Sequence, residues 1–214
     1  MDKNRENKTA RERLVEAAID IFGRNDYKTA TTRMIAAQAK VNISAIPYYF
    51  GGKEGLYHAV IEHIVAALHE ATKGFVVSKE ARPFSGESGQ QMAAAALEKV
   101  LGNMVDLLIG SAQGQRFSRI IQREQMYPSS AYDIIFSNFM GPFLDALAKL
   151  ITIAGNERSP ERAKLRAIAI FGQILVFRAI RETVVRSLDF QGYSDREIEQ
   201  IREVIIDHTR AALE

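Results

Sequence analysis

Residues 31–56 read TTRMIAAQAKVNISAIPYYFGGKEGL, and the rest of the chain is organised around them. Thr31 or Thr32 is placed to cap a helix whose inner face is Met34, Ile35 and Ala39, close to the spacing an apolar helical stripe needs. The helix breaks at Lys40-Val41-Asn42. Val41 is apolar and plugs the angle, and Asn42 caps a second short helix running through Phe50, with Ile46 and Phe50 inward. Asn42, Ile43, Ser44, Ala45, Pro47, Tyr48 and Tyr49 are left on the outer side. Gly51-Gly52 lets the chain turn, and Lys53 opens a third helix. Two short helices meeting in a tight turn form a helix-turn-helix.

The outer side of the second helix fits a DNA major groove about 12 Å wide, where small side chains pass and bulk is tolerated only toward the phosphate walls. Tyrosine hydroxyls there can bond phosphate oxygens. Lys53 stands at the positive end of a helix dipole, which is locally unfavourable unless an anion lies beside it. A DNA phosphate supplies that anion; the alternative is an ordinary surface lysine.

The run ATTRMIA, a short gap and then YYFGGKEGLY closely resemble the DNA-binding domain of the TetR family of bacterial regulators. The resemblance implies phosphate contacts from Thr31, Thr32, Tyr48, Tyr49 and Lys53, with Arg33 in the same DNA-binding set, and base contacts from Asn42, Ile43, Ser44 and Ala45. Three residues depart from the family pattern. Lys40 replaces a small turn residue, and Gly55 weakens the start of the third helix. Pro47 interrupts the recognition helix, lacking an amide hydrogen and crowding the carbonyl four residues back. The recognition helix is therefore expected to start late, near Ser44, or to be distorted. In the second half, RFSRIIQREQMYPSSAYDIIFSNFMGPFLDAL and GQILVFRAIRETVVR resemble the C-terminal domain of the CecR-like (YbiH-like) branch of TetR regulators. Head and body together bring nearly the whole chain under the resemblance.

The 214 residues are 47 % hydrophobic and 25 % charged, ordinary for a globular chain with a real core. The chain has no cysteine, which rules out disulfides and cysteine-ligated zinc and fits a reducing compartment. The polar start MDKNRENKTARER is unlike a signal peptide, and no apolar run is read as approaching the roughly 18 residues of a membrane span. A cytoplasmic protein with no membrane partner is expected. Net charge is only +2, but residues 1–58 hold ten Lys or Arg against seven Asp or Glu, whereas the remainder holds 18 against 19. This slight asymmetry agrees with a DNA-contacting head on a neutral body.

In chain order, residues 1–7 read as a solvated tail from which Lys3, Arg5 and Lys8 could reach a phosphate. A helix from Thr9 to Arg24 with Leu14, Ala18, Ile21 and Phe22 on one stripe completes a three-helix head. After Lys53 a long helix carries Leu56, Tyr57, Val60, Ile61, Ile64, Val65 and Leu68 and joins head to body. His58 and Glu62 on it have metal-ligand spacing but no further ligands, so ordinary polar surface is the better reading. Residues 78–90 read as a loop. Helices then follow over 91–109 and 115–126, from Ser129 or Ser130 to about 154 with Gly141-Pro142 kinking it, from Ser159-Pro160 to about Leu188, and from Ser194-Asp195 onward. The fourth of these runs through Ile168, Phe171, Ile174, Leu175 and Val184, with Arg178 and Glu182 continuing the line of Phe171 and Leu175. The expected fold is all-α, with a helix-turn-helix DNA-binding domain at 1–55 and a helical effector-binding and dimerisation domain at 56–214. The last two helices, paired with those of a second copy, are expected to make a four-helix dimer bundle; the alternative is that both pack into their own body.

Glu124 falls on the apolar stripe of its helix with Phe117, and a buried carboxylate needs a partner. Glu124, Arg178 and Glu182, with Arg123 and Tyr127, are expected to line or gate a small-molecule pocket walled by Phe117, Phe139, Phe171 and Leu175. The alternatives are a buried Glu124–Arg178 ion pair, or an Arg178–Glu182 pair one turn apart. No phosphate loop, nucleophile motif or metal motif suggests an enzyme, and no catalytic residue, metal or cofactor is expected. The partners expected are a double-stranded DNA operator, a small-molecule effector and a second copy of the chain. The function expected is a ligand-responsive, dimeric transcription repressor on a palindromic operator. The rival is a helical small-molecule-binding or interaction protein whose DNA binding is weak or lost.

Overall fold

The computed structural model describes residues 9–73 and 86–213, so Lys3, Arg5, Lys8 and the first part of the expected 78–90 loop lie outside the described residues. Among the described residues the regular elements are α1 (Ala10–Arg24), α2 (Thr32–Ala39), α3 (Ala45–Phe50), α4 (Lys53–Ala71), α5 (Gly86–Val105), α6 (Ala112–Met126), α7 (Ser130–Ile135), α8 (Gly141–Ala154), α9 (Pro160–Ala179), α10 (Arg181–Ser187) and α11 (Asp195–Leu213). Two π-helical turns, Asp106–Gly110 and Phe136–Met140, interrupt the series. The all-α fold is as the sequence indicates. The chain divides into two compact units: one runs to Ala67 and adds Arg116–Asn138, the other holds Leu68–Gln115 and Phe139–Glu214. The first unit thus reaches past residue 55.

In the first unit, α1 begins with a reciprocal cap. The Glu12 amide donates to the Thr9 hydroxyl at 3.3 Å, and the Thr9 amide donates to the Glu12 carboxylate at 2.8 Å. Its buried stripe of Leu14, Ala18, Ile21 and Phe22 packs on α2 and α3. α2 starts at Thr31, whose hydroxyl accepts from the Met34 amide at 3.2 Å. Its buried residues are Ile35, Ala36 and Ala39, while Met34, expected inward, is 39 % exposed. Ala36, 4 % exposed, takes the inner place instead. Lys40 ends α2 in the left-handed region (φ 54°), a conformation that costs about 1 kcal/mol away from glycine.

The recognition helix α3 does start late. The Asn42 carboxamide oxygen accepts from the Ser44 amide (2.9 Å) and hydroxyl (2.8 Å), holding a tight turn, and Ile46 donates to the Ile43 carbonyl at 3.1 Å. Pro47 is the third residue of α3, where an amide has no intrahelical acceptor to lose, so it opens the helix rather than breaking it. Gly55 also acquires a reason. A Cβ there would stand 1.9 Å from the Phe50 carbonyl oxygen, so the close approach of the end of α3 to the start of α4 requires glycine.

In the second unit, α5 begins at Gly86, earlier than expected, and α8 packs between α5 and α9, with α11 against α5 and α9. Leu97, Leu101, Met104, Leu147, Leu150, Ile174 and Ile205 are fully buried. An aromatic row runs through it, Phe139 to Phe143 and Phe143 to Phe171, both at 5.1 Å between ring centres. The helix expected to about 154 runs without a break from Ser130 to Ala154, and a π turn at Phe136–Met140 lies directly before Gly141-Pro142, where the sequence places a kink. The expected helix to Leu188 is broken at Ile180 into α9 and α10. Phe136, on the π turn, is 49 % exposed.

Among the described residues one 25-residue stretch, Ser130–Ala154, holds an 18-residue window with a mean hydropathy of 1.4, enough in length and composition for a membrane span, against the expectation that none would. Phe139, Phe143, Leu147, Leu150 and Ile151 on it are buried, and 33 % of its apolar window is buried in all.

Candidate nucleic-acid interface and crevice

The outward row expected to meet DNA is exposed: Thr31, Arg33, Asn42, Ser44, Ile43 (45 %), Tyr48 (81 %) and Tyr49 (44 %). Thr32, Ala45 and Lys53 are half-buried. Tyr48 and Tyr49 brace one another edge to face at 4.9 Å, which fixes two hydroxyls on the rim of α3. The Thr31 hydroxyl is committed to its cap and the Ser44 hydroxyl donates to Asn42, leaving the Asn42 amide nitrogen as an outward donor. Lys53 does not simply stand in solvent. Its ammonium lies 4.4 Å from the centre of the Tyr27 ring and donates to the Lys28 carbonyl at 3.5 Å, which holds it at the head of α4.

Behind this surface, still within the first unit, α6 is tied to α1 and α4 by polar contacts. Arg116 donates to Asp20 (2.6 Å), to the Glu16 carboxylate (3.0 Å) and to the Glu16 carbonyl (3.0 Å). Arg123 donates to the carbonyls of Phe22 (2.6 Å) and Asn25 (2.8 Å), closing the C-terminal end of α1. Glu124, only 4 % exposed, accepts from the Tyr57 hydroxyl at 2.7 Å and from the Ser129 amide and hydroxyl at 3.1 and 2.9 Å. Ser129 in turn caps α7, its hydroxyl accepting from the Ala131 amide at 3.2 Å. Tyr57 packs edge-on against Phe22 at 4.8 Å and near Tyr27 at 5.1 Å.

A crevice of about 660 Å³ opens onto these groups, lined by the turn after α1, the start of α4, the end of α6 and the start of α7. Arg123, Glu124 and Tyr127 from the expected ligand set meet there. Phe117 belongs to the same unit but is buried against His63, with ring centres 6.0 Å apart. Phe139, Phe171, Leu175, Arg178 and Glu182 fall in the second unit. Phe139 and Phe171 are core side chains of the aromatic row, Leu175 is 39 % exposed, Arg178 donates to the Gln115 carbonyl at 3.3 Å, and Glu182 pairs with Arg186 at 2.7 Å. The sequence reading missed Tyr57, Tyr27 and Ser129. Tyr57 lay on an apolar stripe and was read as apolar, although a buried tyrosine needs a partner for its hydroxyl.

Burial, then the hydrogen bond to Glu124 and its charge, push the Tyr57 phenol well above its ordinary range. The raised group stabilises the fold fully below the unfolded tyrosine value of about 10, and that contribution is lost as pH rises beyond it. Thermal unfolding followed from pH 8 to 11 is expected to show stability falling above about pH 10, and Tyr57→Phe to flatten that fall.

Residues 14–60 match the model of the bacterial regulatory proteins of the tetR family, and residues 93–214 match the C-terminal domain of the HTH-type transcriptional dual regulator CecR. The chain is 34 % identical over 203 residues to the HTH-type transcriptional dual regulator CecR of Shigella flexneri, covering 93 % of this chain and 89 % of that one. Over 61 residues it is 36 % identical to the HTH-type transcriptional repressor NicS of Pseudomonas putida, covering 28 % of this chain and 29 % of that one. A solved transcriptional regulator from Rhodococcus sp. Rha1 has the same fold, with a TM-score of 0.62 at 18 % identity over 94 % of this chain and 95 % of the other. The exposed helix-turn-helix row and the helical second unit thus sit in a chain of known lineage: it belongs to the TetR family and is a CecR-like transcription regulator of that family.

Proposed function

We propose that the chain is a ligand-responsive repressor that binds a palindromic operator as a homodimer. Residues 1–55 carry the DNA contacts, and 56–214 the dimer contacts and the greater part of the effector site. The observation that carries this reading is the recognition helix: Pro47 falls in its first turn, so Asn42, Ile43, Ser44, Tyr48 and Tyr49 form an unbroken exposed row. Asn42, Ile43, Ser44 and Ala45 are nearest the bases, and Thr31, Thr32, Arg33, Tyr48, Tyr49 and Lys53 serve the phosphates. A single helix-turn-helix gains affinity from a second copy one groove turn, about 34 Å, away. The exposed apolar side chains of α9 supply a surface for that second copy. A ligand that favours a dimer with wrongly spaced heads releases DNA by its differential affinity for the two shapes. Arg123, Glu124 and Tyr127 are the sequence-expected ligand residues that share one crevice.

Lys53 separates this reading from its rival, because its seat on Tyr27 and the Lys28 carbonyl gives it a structural task as well. In operator titrations over a salt series, Lys53→Ala is expected to weaken binding about tenfold and to lower the salt slope by about one per head. A variant with unchanged slope would leave Lys53 as a brace alone. Feeble binding by the parent protein, equal on every sequence, would favour a carrier or interaction module with lost DNA reading.

A further inference from the structure

We propose that the crevice beside Glu124 is a site for a small organic cation, an amine or amidine carried on a flat ring. This deepens the effector reading above and rests on it only for its consequence at DNA. Glu124 is buried, yet its three donors, the Tyr57 hydroxyl and the Ser129 amide and hydroxyl, are all neutral. A buried carboxylate is costly unless a positive charge answers it, and two oxygens with about four acceptor positions still have room for a fourth donor. The neighbouring Arg123 turns its Nη1 to the Phe22 and Asn25 carbonyls rather than to Glu124, so its charge is near but its hydrogen bonds go elsewhere.

The walls suit the same ligand. Tyr27, Tyr57 and Tyr127 line the crevice, and tyrosine faces attract cations. Lys53 already holds its ammonium over one of them, Tyr27, at 4.4 Å. Asp26 and Glu54 add two carboxylates to the lining, so with Glu124 three acids stand among Lys28, Arg123 and, over Tyr27, Lys53. The volume of about 660 Å³ admits a ligand of one or two rings. Such a ligand rests on the first turns of α4, which directly follow the recognition helix, and on the turn that leaves α1. Its occupancy therefore sets where α3 stands.

Isothermal titration of the full-length protein with benzamidinium tests this, with benzoate as the matched anion. A dissociation constant at or below about 1 mM for benzamidinium, and none measurable for benzoate, is expected. Glu124→Gln should weaken benzamidinium at least about tenfold, equal to the 1.4 kcal/mol of a lost charge pair at minimum. Tyr127→Ala, at a residue 73 % exposed, changes the wall without touching the core and should weaken it about threefold. Failure of the parent to bind, equal binding of benzoate, or unchanged affinity in both variants overturns the proposal. If Glu124→Gln does not fold, Tyr127→Ala decides alone. Operator affinity with and without benzamidinium is read separately: binding without release keeps the cation site and removes its effector role.

Discussion

Replacing Ile168 by glutamate is expected to leave a folded monomer whose operator affinity is at least about a hundredfold below that of the parent protein. Leu165, Ile168, Leu175 and Val176 stand on successive turns of one side of α9 and are 59 %, 48 %, 39 % and 43 % exposed. Between them, Gly172 has open space where a Cβ would go, which lets another helix come close. Val204 on α11 adds to the exposed apolar surface of the same unit at 46 %. In a two-fold interface each substitution occurs twice, so an unpaired carboxylate costing about 3 kcal/mol per copy weakens association by roughly 6 kcal/mol, some ten-thousandfold. At an exposed position the same change costs the fold of a single copy little. Sedimentation checks the mass and operator titration the affinity. A dimer that persists with unchanged binding would place the interface elsewhere.

Glu124→Ala is expected to lower stability by about 3 kcal/mol, a fall in Tm of roughly 6–12 °C for a chain of this size. The substitution orphans the buried Tyr57 hydroxyl and strips the Ser129 amide and hydroxyl of their acceptor, loosening the cap of α7. The size of the loss comes from what is left unsatisfied rather than from the bonds removed. Tyr57→Phe in the same background separates the two: with the hydroxyl gone as well, part of the loss is recovered. Additive losses in the double variant would mean that the two side chains do not act on one another.

Much of the helical order could be read from local chemistry. Thr9, Thr31, Ser129 and Ser159 all act as helix caps, and such caps are visible in a sequence because donor and acceptor lie within three residues. Pro47 was legible as a late start for the same reason. The π turns before Gly141 and at Asp106–Gly110 were not, because a widened turn arises from how neighbouring helices crowd it and leaves no local signature. Ile168 and Leu175 fall on the apolar series of their helix, and periodicity finds such residues without distinguishing a core from an exposed apolar surface.

The ligand residues were legible only in part. Glu124 could be marked as a carboxylate needing a partner, but its partner Tyr57 lies 67 residues earlier, on a helix whose pattern is apolar. Phe139 and Phe171 were assigned to a pocket wall because aromatic residues often line pockets, whereas here Phe143 stacks between them and closes that row.

The central claim is that this chain reads a symmetric DNA site as a dimer, and selection of bound duplexes from a random pool by the purified protein tests it most directly. The expected result is a two-fold-symmetric motif with half-sites about one helical turn, 10–10.5 base pairs, or a multiple of it apart, recovered at near-physiological salt. Recovery of no motif, or of an asymmetric one bound by a single copy, would contradict it.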